Sequence, residues 1–242
     1  MTRDAGSYED VAVVMITRNE EQAIGKVIGD ARRALPGTEV VVVDGSDDLT
    51  PEIARRAGVT VVREPGGGSG PALLAALMAS QRPIIVTVDA DDTYPASAFP
   101  VLVRLIREGC DVAGADRLGR WPRAMPLSIW LANQAFSALA SVRARRRLRD
   151  VHSGQRAYRA GVLRAFAWQP GQSALTVDLL FWPALAGLRL IEIPIEYRER
   201  IGNSKLSRWA GGRDTLGRLL RSKAAVRKTA LREVGPGPWE RA

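Results

Sequence analysis

The chain has 242 residues, 46% of them apolar and 25% charged, with a formal net charge of +9. That is the composition of an ordinary soluble globular protein, long enough for one α/β domain or two small ones around a substantial core. Cys110 is the single cysteine and is read as core packing; it excludes an internal disulfide and fits a reducing compartment. The polar, acidic stretch Met1–Asp10 carries no signal-peptide pattern, so a cytoplasmic location is expected. His152, the single histidine, excludes multi-histidine metal sites. The charge is polarised: residues 1–116 hold 11 Lys/Arg against 18 Asp/Glu, and residues 117–242 hold 24 against 8. An acidic half suits a metal, and a basic half suits anions.

Val11–Ile16 is a short β-branched run, a buried strand by length and composition. Thr17 or Asn19 is placed to cap the periodic helix Ala23–Ala34, with Glu20 and Glu21 at its positive end. Strand Glu39–Val43 ends at Asp44-Gly-Ser-Asp-Asp-Leu-Thr50, and Thr50-Pro51 reads as N-cap and N1 of a helix to Ala57. Strand Val59–Val62 leads to the loop Gly66–Gly70 and the apolar helix Ala72–Ala79. This glycine loop can approach a phosphate at a helix start, but it is neither a dinucleotide fingerprint nor a P-loop, and a plain turn explains it equally. Strands alternating with helices across short loops predict parallel βαβ units in a doubly wound sheet.

The apolar run Pro83–Val88 stops at three carboxylates, Asp89, Asp91 and Asp92. Side chains two apart on an extended segment face the same way, so Asp89 and Asp91 can share one ligand. A hard divalent cation, Mg²⁺ or Mn²⁺, relieves their repulsion and commonly shares substrate phosphates. The end of a strand in an open α/β sheet is where such folds bind ligands. The alternative is an acidic turn in which Asp92 caps the next helix.

Helix 97–107 and strand Asp111–Gly114 follow, and the character changes at Asp116-Arg117. Ala124–Val142 runs 19 residues without a charge. On a helical projection Asn133, Gln134, Ser137 and Ser141 lie on one side; Leu127, Leu131, Ala135, Phe136, Leu139 and Val142 lie on the other. That fits an amphipathic helix in a core or at an interface rather than a membrane span. The five arginines of Arg143–Arg149 read either as a contact with anionic headgroups or as the solvated end of a core helix. A polar segment Asp150–Arg159 leads to a short strand; Leu175–Ala186 reads as a helix carrying Asp178, and Arg189–Tyr197 as a strand. Arg198–Lys205 is a basic loop, Leu206–Arg232 one or two basic amphipathic helices, and the rest a tail.

Five motifs in order give the chain a resemblance to family 2 glycosyltransferases of the GT-A fold, and within them to the dolichyl-phosphate or polyprenyl-phosphate mannosyl- and glucosyltransferases. They are Ile16-Thr-Arg-Asn-Glu20, Val43-Asp-Gly-Ser-Asp-Asp-Leu-Thr50, Asp89-Ala-Asp91, Asp150-x-x-Ser-Gly-x-Arg-Ala-Tyr-Arg159, and Glu192-Ile-Pro-Ile with Arg200-x-Gly-x-Ser-Lys205. The resemblance implies a GT-A domain over 11–206, split into a nucleotide and metal half (11–116) and an acceptor half (117–206), between a tail (1–10) and C-terminal helices and tail (207–242). It implies a nucleotide-sugar site from Thr17, Glu20, Asp44, Ser46, Gly68, Gly70 and Asp89, with Arg117, Arg200, Ser204 and Lys205 meeting donor or acceptor phosphates. Asp89 and Asp91 would hold Mg²⁺ or Mn²⁺, and Asp91, Arg117, Asp178 and Arg200 would be the catalytic group. Arg18, Ser69 and Thr93 depart from the usual family residues, at positions that bear on base and sugar choice. A C-terminal membrane span, which some members carry, is not expected.

The implied reaction moves mannose or glucose, with inversion, from a GDP-mannose or UDP-glucose type donor to a polyprenyl phosphate. An ionised lipid phosphate needs no strong base but needs arginines to hold it, whereas an alcohol acceptor would need a carboxylate base, Asp178 or Asp150. The expected setting is the cytosolic membrane face, reached through 124–149 and possibly 206–232, with a separate anchoring partner conceivable and no nucleic acid. Two other readings stay open: a family 2 enzyme with a soluble acceptor, and a non-catalytic basic protein, against which the acidic and basic motifs argue.

Overall fold

The computed structural model describes residues 7–171, 175–202 and 208–221. Seven strands form one sheet in the order β3-β2-β1-β4-β6-β5-β7: β1 Val11–Thr17, β2 Glu39–Asp44, β3 Thr60–Arg63, β4 Ile84–Thr87, β5 Val112–Asp116, β6 Arg156–Arg159 and β7 Leu190–Pro194. All pairings are parallel except those of β6, which runs antiparallel to β4 and β5. β1, β2 and β4 are buried on both faces, as their unbroken apolar sequences require. The acidic and basic halves share this sheet, because β6 from the second half sits between two strands of the first.

Eight helices flank the sheet: α1 Ile24–Ala34, α2 Thr50–Arg56, α3 Ser69–Met78, α4 Phe99–Arg107, α5 Leu127–Ala144, α6 Ala160–Ala165, α7 Leu175–Leu185 and α8 Arg208–Arg221. One core lies between the sheet and α1 and α4, including Ile24, Ile28, Phe99, Leu102 and Cys110. The other joins α3, α6 and α7, with Tyr158, Phe181 and Trp182. The lone cysteine is therefore packing, as expected, and burial pushes its thiol up. Among the described residues no helix is long and apolar enough to cross a membrane.

Three cap expectations are corrected. α1 starts at Ile24 with no side-chain cap, because Thr17 and Asn19 are engaged with the β2 loop. Thr50 lies inside α2, and its N–H and hydroxyl both donate to Asp48 Oδ1 (2.9 and 2.5 Å). Asp92 adopts a left-handed φ of 64° and pairs with Lys26 at 2.7 Å rather than capping α4. The helix α6, immediately after β6, has no counterpart in the sequence reading.

Candidate active site

The carboxyl ends of β1 and β2 are tied together by side chains. Thr17 Oγ1 donates to Asp44 Oδ1 (2.7 Å), and the Ser46 hydroxyl donates to the same oxygen (2.6 Å). Asn19, at φ 58°, donates its backbone N–H to Ser46 Oγ (2.7 Å) and accepts from the Asp47 N–H (2.8 Å). Thr50 Oγ1 accepts from the Glu20 N–H at 2.9 Å. Beside this network a cleft of about 330 Å³ is lined by Asp44, Ser46, Asp48, Glu52, Arg55 and Arg63. Thr17, Asp44 and Ser46 thus meet through their side chains, and Glu20 joins the network through its backbone N–H.

The glycine loop does not join them in full. Gly70 is buried, and a Cβ there would overlap the Pro170 and Gly171 carbonyls, so this glycine serves close packing of α3 and is not open to a phosphate. Gly68 takes φ 98° at the start of α3, which only glycine adopts without strain. Ser204 and Lys205 lie outside the described residues.

Asp89 and Asp91 lie on the turn after β4 rather than on an extended segment. They nonetheless sense one another. Burial first, then the Asp91 charge, raise the Asp89 carboxyl to about 7, against the opposing pull of Arg117 and Arg200. Asp91 Oδ1 accepts from the Thr93 hydroxyl (2.6 Å) and N–H (3.2 Å), while its Oδ2 faces Arg200 Nη1 at 2.9 Å. The other arm of Arg200 pairs with Glu20. The loop carrying Arg200 is seated on the acidic turn by Arg198 N–H to Thr93 O (2.9 Å) and Ile201 N–H to Asp91 O (3.0 Å). Asp89, Asp91, Glu20 and Arg200 are brought together, from three motifs spread over the chain.

On the acceptor side the structure changes three assignments. Arg117 is nearly buried and holds Asp150 in a bidentate pair (2.6 and 2.9 Å), with the guanidinium 5.9 Å from the Tyr94 ring centre and 5.3 Å from that of Tyr197. It is a fixed positive charge beside Asp89 rather than a free phosphate clamp. Asp150 is fully buried and also accepts N–H bonds from Arg117 and His152. Burial pushes its carboxyl up, but Arg117 outweighs this and keeps it below the usual range, so it is no general base. Asp178 is also fully buried; Arg218 on α8 meets it at 2.5 Å, and burial sets its carboxyl at about 6 despite that cation. Its described partner is structural, and the catalytic role expected of it finds no support in the geometry.

Sequence reasoning missed the residues that frame the acids. The Gly154 N–H donates to the Tyr94 hydroxyl (2.7 Å), and a Cβ on Gly154 would fall on the Asp89 carboxylate. Gln155 donates to Pro95 O (3.0 Å). Buried Arg156 donates to the Asp150, Val151 and Thr176 carbonyls. Gly154 and Arg156 were fixed positions of the Asp150–Arg159 motif, but nothing in the sequence gave their partners, and Tyr94 and Gln155 carried no signal of their own.

Helix α5 turns much of its polar side inward together with Phe136, Leu139 and Ala140, which pack against the core. Ser137 is buried, Gln134 Nε2 donates to Leu118 O (3.2 Å), and the Ser141 hydroxyl donates to Ser137 O (2.7 Å). Leu127, Leu131, Ala135, Ala138 and Val142 are exposed, Val142 by 76%. Of the five arginines that follow, three stabilise the fold: Arg143 bonds the Leu219 carbonyl, Arg146 those of Leu188 and Leu190, and Arg149 lies 3.6 Å from Asp116. Arg145 and Arg147 are exposed.

A mostly parallel sheet with an acidic turn at its carboxyl edge, a β1–β2 polar cleft and an arginine-rich flank is the architecture of a GT-A glycosyltransferase. Residues 12–165 match the model of Glycosyl transferase family 2, and the chain belongs to that family. It is 45% identical over 207 residues to a dolichyl-phosphate hexose transferase of Haloferax volcanii, covering 85% of this chain and 90% of that one. It is 30% identical over 216 residues to an undecaprenyl-phosphate mannosyltransferase of Micrococcus luteus (81% and 87% covered). The fold is shared with glucosyl-3-phosphoglycerate synthase of Mycobacterium tuberculosis in complex with Mn²⁺, UDP and phosphoglyceric acid, at TM-score 0.71 and 24% identity over 87% of this chain and 77% of that one.

Proposed function

We propose that this glycosyltransferase moves a hexose, with inversion, from a nucleotide-diphosphate sugar to the phosphate of a polyprenyl phosphate. The observation that carries the reading is the state of the acceptor-side carboxylates. An alcohol acceptor must lose a proton to a base, yet Asp150 and Asp178 are buried and each is engaged by an arginine. A phosphate monoester is already ionised near neutral pH and attacks the anomeric carbon unaided. The names of two relatives, a dolichyl-phosphate hexose transferase and an undecaprenyl-phosphate mannosyltransferase, support the same acceptor class.

The residues fit a divalent cation of the oxygen-preferring kind. Two carboxylates converge, and no third metal-binding side chain completes a cage among the described residues; Mg²⁺ and Mn²⁺ sites of this type complete their shell with substrate phosphates and water. Asp89 and Asp91 would hold the ion, which when bound supplies positive charge to the departing diphosphate. The chain's own part is to orient. The Asp44–Ser46 cleft takes the nucleoside, Thr93 fixes the Asp91 rotamer through Oδ1, Arg117 places a fixed charge beside Asp89, and Arg200 meets the phosphates.

The outward face of α5 supports a membrane setting. From Leu127 to Val142 it presents no charge, and it ends at the exposed Arg145 and Arg147. Partial burial of two or three leucine-sized side chains, at roughly 1.5–3 kcal/mol each when complete, with about 1 kcal/mol per arginine near anionic headgroups, suffices for reversible attachment. Leu216 and Leu220 on α8, which packs on α5, are exposed too.

The test is to incubate the protein with Mn²⁺ and a panel of nucleotide sugars, with a polyprenyl phosphate or with buffer alone. Glycolipid formed with the lipid and lost in Asp91→Ala is expected, and the productive donor names the sugar. Donor hydrolysis or binding with no lipid product would overturn the acceptor assignment and point to a soluble one.

A further inference from the structure

We infer that Arg200 is a resident counter-cation of the acidic turn, exchanged for the divalent ion when the donor arrives. This rests on the metal assignment above. The guanidinium bridges Glu20 and Asp91 and takes Asp91 Oδ2, the oxygen that Thr93 leaves open. A metal held by Asp89 and Asp91 would compete with Arg200 for the Asp91 carboxylate. Arg200 and the metal are therefore alternatives at Asp91, not neighbours.

The contact is built to be released. The side chain is 27% exposed, and its buried Nε–H has no partner among the described residues. Two backbone hydrogen bonds seat the loop, and Gly202 follows at φ 92°, where a chain reversal is cheap. Without Arg200, the Arg117 charge beside Asp89 would be left to offset the mutual repulsion of Asp89 and Asp91, which is costly. Arg200 relieves that repulsion in the empty enzyme. A nucleotide diphosphate supplies what both cations need, phosphate oxygens for the metal and a new anionic partner for the freed guanidinium. Metal and nucleotide binding are thereby coupled: the ion alone must evict Arg200 with nowhere for it to go, and the ion with diphosphate need not.

Mn²⁺ titrations followed by electron paramagnetic resonance, with no sugar and no lipid, test this. In the wild-type chain Mn²⁺ alone should bind weakly, and a nucleoside diphosphate should tighten it. Arg200→Gln should bind Mn²⁺ alone at least about 10-fold more tightly than wild type, the low end of the roughly 10- to 1,000-fold range over which a neighbouring opposite charge alters a carboxylate's proton affinity, and should gain less from added diphosphate. Arg200→Lys, which keeps the charge, should stay near wild type and guards against a folding artefact. Equal or weaker Mn²⁺ binding by Arg200→Gln overturns the exchange while leaving a normal glycosyl-transfer result intact. No Mn²⁺ binding by any variant, with or without diphosphate, overturns the exchange and the metal assignment together.

Discussion

Adding one methyl group at Gly154 tests the geometry of the acidic turn most directly. A Cβ built there lies 2.6 Å from Asp89 Oδ2 and 2.7 Å from its Cγ, and no backbone atom is among its nearest neighbours. Gly154 does not adopt a left-handed φ, so alanine fits the backbone and the clash falls on one carboxylate. Ordinary carbon–oxygen contact needs roughly 3.4 Å or more, so Asp89 must retreat by somewhat under 1 Å or rotate. Misplacement of that size at a reacting centre costs on the order of 100-fold in rate, while overpacking of one methyl costs about 1–3 kcal/mol of stability. Gly154→Ala should therefore remain folded, with a modest fall in Tm, and lose about 100-fold in kcat/KM together with most of its nucleotide-dependent Mn²⁺ affinity. Gly217→Ala on α8, where a Cβ meets nothing within 4 Å, is the matched control and should retain full activity. Steady-state kinetics and thermal melts of both variants decide the matter. Activity within twofold of wild type in Gly154→Ala would refute the placement of Asp89 against this glycine.

Three further outcomes follow from the same geometry. Asp150→Ala strands the buried Arg117 cation and should destabilise the protein by about 3–5 kcal/mol, read as a denaturant midpoint shift; a change under 1 kcal/mol would show that the pair is not desolvated. Burial holds the His152 ring at about 4, below the ordinary 6.5. The unfolded chain therefore binds its proton first as pH falls, and this residue's contribution is lost between about pH 6.5 and 4, by roughly 3 kcal/mol. His152→Phe should flatten the pH dependence of stability across that window, and an unchanged slope in urea titrations would exclude a buried neutral ring. Leu131→Glu, on the outward face of α5, should weaken sedimentation with anionic vesicles at least tenfold while leaving Mn²⁺ binding unchanged; equal sedimentation would remove α5 from the membrane contact.

The alternation of β-branched runs with periodic helices already determined the parallel sheet, since each buried strand needs four to six apolar residues and each short crossover a helix. The acid motifs were equally legible, because Asp89 and Asp91 are near in sequence and their repulsion demands a cation wherever the turn is placed. What sequence could not decide were pairings across long separations. Asp150 and Asp178 looked alike as spare carboxylates until packing gave one to Arg117 and the other to Arg218. Gly70 looked like a phosphate loop until the Pro170 carbonyl was found against it. A helical projection separated the two faces of α5 but could not say which faced the core. Packing turned much of the polar side inward along with Phe136 and Leu139, because carbonyls such as that of Leu118 need donors when buried and are supplied by Gln134. Periodicity and charge are local properties written along the chain, whereas a side chain's partner is fixed only when distant segments meet.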